Sequence, residues 1–268
     1  MLYREFTPHP ALHDHVKCFW TLTIGAPLGL DGLQVLAEGM ELAFNLADPI
    51  HLASRRPEPT TALHGRVCGP MTLPMRMRPT GRVEVFGVCF RPGGAYPFFS
   101  YPAAELANGD VELGALWEAG GESVAGRIQN ARDTRERIQL VERQLLQRLA
   151  ANERGDARLA AALHLIDALR GMVAIDEVAR ATGLSSRQLE RSFQERVGMT
   201  PKQLCRSLRF KNVFRRLAAA PTDCWASTAL DCGYCDQSHL SRDFKHFTGT
   251  SPAAFFTPPL PPFLAGNP

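Results

Sequence analysis

The chain has 268 residues, 45% hydrophobic and 21% charged, which is globular composition and enough for two domains with cores of their own. No apolar run reaches the roughly 18 residues that a membrane-spanning helix needs, and the start MLYREFTPHP lacks the basic and apolar parts of a secretory signal. Composition therefore argues against a membrane or secreted protein, and we expect a cytoplasmic one.

The overall charge of +3 is small, but the basic residues are concentrated towards the C-terminus. Residues 173–257 carry twelve Lys/Arg against eight Asp/Glu, a net charge of +4 that leaves −1 for the rest of the chain. The seven cysteines are an odd number spread over both halves of a chain too large to need disulfides, so we expect reduced, buried thiols.

The first hundred residues predict a mainly antiparallel β domain. The stretches HVKCFWTLTI, MELAFNL and RVEVFGVCF are β-branched or aromatic and are separated by Gly, Pro and Asp. From residue 109 the pattern is helical, and Ile138, Val141, Leu145 and Leu149 form one apolar stripe. This stripe predicts a helix that packs either on the sheet or on a second copy of itself.

A short cassette occurs twice in the C-terminal part of the chain. GLSSRQLERSFQERVGMTP begins at Gly183, and its near copy GYCDQSHLSRDFKHFTGTSP begins at Gly233. The first glycines of the two copies, Gly183 and Gly233, align at an offset of fifty residues. The Leu, Phe, Gly and Pro that follow in each copy align at an offset of fifty-one. Self-similarity of this kind indicates two copies of one supersecondary unit.

Local signals predict that each copy is a helix-turn-helix. In the first copy a helix ends at Gly183, and Ser185 with Gln188 forms a capping box that starts the next helix. In the second copy Asp236 takes the cap, with Cys235 and Leu240 at the staple positions. Leu189 with Phe193, and Leu240 with Phe244, are four residues apart and should be buried.

The sequence GMTP closes the first copy, and GTSP closes the second. Thr200 or Ser251 caps a further helix whose first residue is a proline. The helix from Pro201 should run to about Ala219, and it contains six Lys/Arg and no acid. It predicts a basic connector between the two units.

These motifs resemble the AraC/XylS family of bacterial transcription regulators over about residues 160–257. IDEVARATGLSSRQLERSFQERVGMTP and ALDCGYCDQSHLSRDFKHFTGTSPAAFF match its two helix-turn-helix units, and LRFKNVFRRL matches the connecting helix. Val213 and the run WASTA depart from the usual family pattern. FTPHPALHDHVKCFWTL, GMELAFNLADP, HGRVCGP and CFRPGGAYPFFSYPAAEL resemble, more loosely, the N-terminal domain of one branch.

The resemblance implies a multidomain α+β protein. We expect a cupin-like, mainly β sensing or dimerisation domain with helices at 1–150 and an AraC-type DNA-binding domain at 155–257. The latter should be all-α, with two helix-turn-helix units joined by a long helix, and a flexible Pro-rich tail should follow at 258–268. Expected partners are double-stranded DNA, RNA polymerase if the protein is an activator, an unknown small-molecule effector and a second copy in a homodimer. No cofactor, membrane contact, catalytic residue or metal ligand is predicted.

Side chains that face away from the buried Leu and Phe are the candidate DNA contacts. Arg, Gln, Glu and Ser can read base edges, whereas cap serines and a basic helix suit phosphates. The candidate base-reading residues are Arg187, Glu190, Arg191, Gln194, Gln237, Ser238, Ser241 and Arg242. The candidate phosphate contacts are Ser185, Ser186, Lys202, Arg206 and Lys245.

Other readings of the sequence remain open. Cys232 and Cys235 form a CxxC that, with Cys224 and His239, has the spacing of a zinc site or thiol switch, and His13 with His15 forms an HxH. A CxxC without a second pair is a weak signal, and no Glu follows the HxH at a cupin-like spacing. An enzyme, or a DNA-binding protein without sequence preference, are the alternatives to a regulator.

Overall fold

The computed structural model describes residues 1–25, 33–35, 39–53, 65–73, 75–99, 101–117, 123–152, 155–219 and 224–256. The chain divides into two compact units, one drawn mainly from residues 1–155 and the other mainly from residue 156 onward. The Pro-rich tail predicted at 258–268 lies outside the described residues.

The first unit is built on antiparallel β-structure. A six-stranded sheet has the order β1-β2-β8-β4-β6-β9, and a three-stranded sheet has the order β3-β7-β5. The strands are β1 (Leu2–Phe6), β2 (Val16–Ile24), β3 (Leu33–Val35), β4 (Glu41–Asn45), β5 (Ile50–Ala53), β6 (Arg66–Cys68), β7 (Met75–Pro79), β8 (Val83–Phe90) and β9 (Asp110–Glu112). The three stretches predicted as strands become β2, β4 and β8, which are neighbours in the middle of the larger sheet.

The larger sheet is buried on both faces because successive side chains of its strands alternate between two apolar clusters. On one face the rings of Phe19 and Phe44 each stack on Phe86, with centroid distances of 6.2 and 6.0 Å. The helices that follow the sheet pack against this face. On the other face Val85 packs in a cluster with Ile50 of β5.

Among the described residues of this first unit, four helices follow the larger sheet's central strands, and a short 3-10 helix lies at Pro10–Leu12. They are α1 (Ala103–Leu106), α2 (Leu113–Leu116), α3 (Val124–Gln129) and α4 (Thr134–Ala151). Val141 and Leu145 of α4 are fully buried in the phenylalanine cluster, and Ile138 and Leu149 pack at its edge. The apolar stripe therefore packs within its own domain, which is one of the two predicted alternatives.

The two histidines of the HxH motif contact backbone carbonyls. His13 Nε2 lies 3.0 Å from the carbonyl oxygen of Pro8, and His15 Nδ1 lies 3.2 Å from that of Gly94. The His15 ring also packs edge-on against Phe98, at 5.5 Å between centroids. These contacts fix the turn that leads into β2.

The described elements after residue 155 are all helices. They are α5 (Ala157–Ala168), α6 (Ile175–Thr182), α7 (Ser186–Arg196), α8 (Pro201–Ala219), α9 (Trp225–Asp231), α10 (Gln237–Thr248) and α11 (Pro252–Phe255). The sequence predicts α6 to α11 but gives no separate signal for α5. None of the helices in the described ranges has the length and apolar character to cross a membrane.

Gly69 tests the packing of the first unit, since a Cβ built on it would lie only 1.9 Å from the carbonyl oxygen of Leu106. Backbone cannot move aside as a flexible side chain can, so Gly69→Ala should lower the free energy of unfolding by roughly 1–3 kcal/mol. Urea unfolding measures the change. Gly114→Ala is the control, because nothing lies within 4 Å of its added Cβ. Equal stability of the two variants would contradict this packing.

Candidate nucleic-acid interface

The first helix pair, α6 and α7, is joined by a tight turn. Gly183 ends α6 in the left-handed conformation at φ +64°, and the N–H of Leu184 donates to the carbonyl of Ala179 at 3.1 Å. The N–H of Ser185 donates to Gln188 Oε1 at 2.9 Å, and the N–H of Gln188 donates to Ser185 Oγ at 3.3 Å. The predicted capping box is thus confirmed, and it fixes where α7 begins.

The second helix pair, α9 and α10, uses different residues for the same turn. Gly233 has φ +78°, and the Asp236 carboxylate accepts the N–H of His239 at 2.6 Å. The predicted staple residue Cys235 is exposed, and the buried residue of this turn is Tyr234, whose ring meets His239 edge-on at 5.1 Å. A staple residue has to be buried against the helix, and here Tyr234 is the buried one. The assignment of Cys235 to the staple is therefore wrong.

Each second helix of a pair buries one face and exposes the opposite one. Leu189 and Phe193 of α7, and Leu240 and Phe244 of α10, have no exposed surface. All but one of the eight predicted base-reading residues are exposed, and Ser241 is half-buried. Arg242 Nε donates to the carbonyl of Ser238 at 3.4 Å, so this side chain lies along its own helix.

The predicted phosphate contacts differ in how free their side chains are. Ser186, Lys202 and Lys245 are exposed. The hydroxyl of Ser185 takes part in the capping box. Arg206 is paired within the domain, donating to Asp243 Oδ1 from Nη2 at 2.7 Å and from Nε at 3.2 Å. A phosphate contact by Arg206 stays a prediction, whereas its structural role is evident.

The Arg206–Asp243 ion pair joins α8 to α10. The Asp243 side chain is only 5% exposed, and Arg206 is 29% exposed. A carboxylate removed from water to this degree needs a charged partner, and the guanidinium supplies two donors to its Oδ1 atom. The spacing of Asp243, three residues after Leu240 and four before Phe247, places it on the buried face of α10. That spacing could have revealed this acid from the sequence.

Two further arginines of the connecting helix α8 also make contacts inside the domain. Arg209 Nη1 donates to the carbonyl of Gly171 at 3.2 Å, in the loop that precedes α6. Arg216 Nε lies 3.3 Å from Asp231 Oδ2 at the end of α9. The helix therefore contacts both members of the second pair and the loop that precedes the first pair, and part of its basic character is structural.

An aromatic cluster holds the second pair and α11 on α8. Phe210 packs edge-on against Phe244 and tilted against Phe247, with centroid distances of 5.1 and 4.8 Å. Phe214 stacks on Phe244 at 5.8 Å and meets Phe255 at 5.9 Å. Each ring contact of this kind adds roughly 0.5–1.5 kcal/mol beyond the burial of area. The cluster fixes the position of α10 on the connecting helix.

The cysteines of the CxxC segment lie in different environments. Cys232 is fully buried at the end of α9, while Cys235 and Cys224 are exposed. Burial raises the pKa of the Cys232 thiol to about 11, so this sulfur is protonated at neutral pH. Within the part of the chain that the structure describes, no three His, Cys, Asp or Glu side chains are grouped as metal ligands.

Comparison with known proteins matches part of each unit to a described domain. Residues 4–112 match a domain of unknown function (DUF6597), and residues 178–257 match a helix-turn-helix domain. The HTH-type transcriptional activator RhaS of Escherichia fergusonii is 32% identical over 108 residues, which are 39% of this chain. The matched part spans only 37% of the length of RhaS.

Solved structures of ToxT from Vibrio cholerae share the fold. ToxT of strain O395, bound to (E)-4-(8-methylnaphthalen-1-yl)but-3-enoic acid, gives a TM-score of 0.53 at 11% identity. That comparison covers 92% of this chain and 99% of ToxT. A second ToxT structure gives 0.52 at 11% identity and covers 88% and 97% of the two chains. At such low identity the likeness concerns the fold alone.

The chain is therefore a helix-turn-helix protein with a β-rich first domain. The helix-turn-helix match at residues 178–257 and the likeness to RhaS agree with the resemblance to AraC/XylS regulators noted in the sequence repeat.

The Arg206–Asp243 pair generates a stability prediction. Arg206→Met leaves a buried carboxylate without its partner and should cost roughly 3 kcal/mol of unfolding free energy. The double variant Arg206→Met with Asp243→Leu removes both charges and should recover most of that loss. Urea unfolding is the measurement, and Lys202→Met is the control, since Lys202 is exposed on the same helix. A single variant as stable as the control would contradict the role given to this pair.

Proposed function

We propose that this protein is a sequence-specific DNA-binding transcription regulator in which α7 and α10 are two recognition helices. The observation that carries the proposal is the duplicated architecture: each helix buries a Leu/Phe pair and exposes Arg, Gln, Glu or Ser on the opposite face. The match of residues 178–257 to a helix-turn-helix domain and the likeness to the activator RhaS support it. The DNA-binding domain is assigned to residues 155–257, with both helix pairs as helix-turn-helix units.

The length of α8 suits the reading of two successive major grooves. Its 19 residues span roughly 28 Å at 1.5 Å per residue, close to the roughly 34 Å of one DNA turn once the width of the helix pairs is added. Arg206 holds α10 on this helix, and Arg209 holds the loop that leads into α6. One chain could then occupy the two grooves that many repressors reach only as dimers.

The exposed side chains supply the chemistry of base reading. Arg187, Arg191 and Arg242 can each donate two hydrogen bonds to guanine O6 and N7. Gln194 and Gln237 can pair with adenine, and Glu190 can accept from cytosine N4. Ser238 and Ser241 can bond to either kind of base edge. Because the two faces differ in composition, the preferred site should be asymmetric.

Phosphate contacts would position these helices on the duplex. Lys202, Lys245 and Ser186 are exposed and carry donors suited to phosphate oxygens. The Ser185 hydroxyl already takes part in the capping bonds, so a phosphate contact would have to be added to them. Arg206 would have to bind a phosphate either beside Asp243 or in place of it. We therefore rank Lys202 and Lys245 above Arg206 as phosphate contacts.

For the first domain, residues 1–150, we propose a cupin-like fold that senses a small molecule or mediates homodimer formation. Its two antiparallel sheets support this reading, and so does the fold shared with ToxT, one structure of which is bound to a carboxylic acid. Contact with RNA polymerase would follow if the protein activates transcription.

Base reading is tested with one arginine from each recognition helix. Genomic fragments bound by the protein are first selected, and binding to the selected site and to random duplex is then measured by fluorescence anisotropy. Arg191→Ala and Arg242→Ala should each lose roughly 1–3 kcal/mol on the selected site and relax the base preference there. Arg158→Ala, a change of an exposed arginine of α5, is the control. If both variants bind both duplexes as the parent does, the assignment of readers is wrong.

Phosphate contact by Lys245 is tested through the salt dependence of binding. Lys245→Gln should weaken binding to selected and random duplex alike, and it should reduce the slope of log K against log salt by about 1. Lys17→Gln, a change of an exposed lysine in β2, should leave the slope as it is. An unchanged slope for Lys245→Gln would remove this residue from the interface.

A further inference from the structure

Two cysteines lie directly opposite each other on neighbouring strands of the large sheet. Strand β2 pairs antiparallel with β8, and Cys18 has Cys89 as its pairing partner. Residues paired in this way project their side chains from the same face of a sheet, so both thiols lie on one side. Cys18 is buried and Cys89 is half-buried.

The spacing of such a pair suits a disulfide bond. Opposite residues in antiparallel strands have Cα atoms roughly 4.5–5.5 Å apart, inside the roughly 4.4–6.8 Å range of disulfides. The pairing register also shifts by one residue between Val16 and Cys18, so Lys17 is an extra residue at this end of β2. Such a bulge gives the local backbone room to adjust the distance between the two Cβ atoms.

The two thiols also perturb each other chemically. A hydrogen bond between the side chains lowers the pKa of Cys18 below its ordinary value, and the same contact together with burial raises the pKa of Cys89. The two sulfur atoms are therefore close enough to interact directly, as a disulfide between them requires.

The other cysteine of this sheet is not positioned to compete. Glu41 of β4 pairs with Cys89 on one side and with Cys68 on the other, so a whole strand separates the two cysteines. Burial raises the pKa of the Cys68 thiol far above its ordinary value, which keeps it protonated and unreactive. The arrangement singles out one pair.

We propose that Cys18 and Cys89 form a reversible intramolecular disulfide when the protein meets a peroxide, a modification separate from the proposed DNA binding. The Cys18 thiolate attacks one peroxide oxygen, the O–O bond breaks, and the leaving hydroxide takes up the proton that the Cys18 thiol had released, which gives Cys18 sulfenic acid and water. The Cys89 sulfur then attacks the Cys18 sulfur and releases a second water. Two thiols lose two electrons and two protons, and hydrogen peroxide is reduced to two waters. A dithiol reductant reverses the bond by exchange.

The disulfide would tie the start of β2 to the end of β8. It closes a long loop that contains β3 to β7, so it restricts the unfolded chain more than a short cross-link would. The oxidised first domain should therefore melt roughly 5–10 °C above the reduced one.

Peptide mapping of the full-length protein tests the proposal. Reduced protein is treated with hydrogen peroxide, quenched in acid, alkylated in denaturant and digested with trypsin without reduction. We expect the peptide that follows Lys17 to be linked to the peptide that follows Arg82, and dithiothreitol should separate them. The link should be intramolecular, and the melting temperature should rise with its formation.

Cysteine variants complete the test. Cys18→Ser and Cys89→Ser should each lose the rise in melting temperature, whereas a Cys224→Ser, Cys235→Ser double variant should keep it, since those two thiols are exposed. If a serine variant does not fold, the mapping of the parent protein decides. The proposal is overturned if Cys18 and Cys89 remain fully alkylated after the exposed thiols have been oxidised. It is also overturned if the link joins two chains, or if Cys89→Ser keeps the temperature rise.

Discussion

The structure of the second domain depends on the hydrogen bonds and ring contacts that helix α8 makes with its neighbouring elements. Arg206 reaches forward to the buried carboxylate of Asp243 in α10, and Arg209 reaches back to the carbonyl of Gly171 before α6. Phe210 adds ring contacts with Phe244 from the same helix. Because each of these groups is partly or fully removed from water, a lost partner costs more than a surface contact would. The connecting helix therefore holds α10 on one side and the loop before α6 on the other.

The contacts of its arginines change how the basic composition of α8 is interpreted. A sequence with six Lys/Arg and no acid in nineteen residues suggests a surface made for phosphates. In the folded domain, however, Arg206 and Arg216 meet acids from α10 and α9, and Arg209 meets a backbone carbonyl. Arginine suits this use because its stem packs on apolar side chains while its head makes several hydrogen bonds. Several of these arginines are thus paired within the folded domain. Exposed lysines such as Lys202 are therefore the better candidates for contact with phosphates.

The features that could be predicted from the sequence are those set by interactions between residues close together in the chain. Caps act within three or four residues, so the helix start after Ser185 could be read from its capping box. The long, strongly apolar strands β2 and β8 could be read as well, because central strands need apolar side chains on both faces. Short strands such as β9 (Asp110–Glu112) owe their existence to a partner far away in the chain and leave little local signal. The pairing of Cys18 with Cys89 also depends on register between strands distant in sequence, which no local pattern reveals.

The exposed acid on α7 bears on specificity in the proposed function. Glu190 stands among Arg187 and Arg191 on a face that would enter a strongly negative groove. For binding without sequence preference this carboxylate is unfavourable, because it is repelled by every phosphate backbone equally. It becomes favourable only where a base edge donates a hydrogen bond, as cytosine N4 does. Such a residue weakens binding to every DNA site, and only a few sites offer the hydrogen bond that compensates. It therefore increases the difference in affinity between selected and random DNA. The charge pattern of α7 thus favours a selective reader over a general DNA-coating protein.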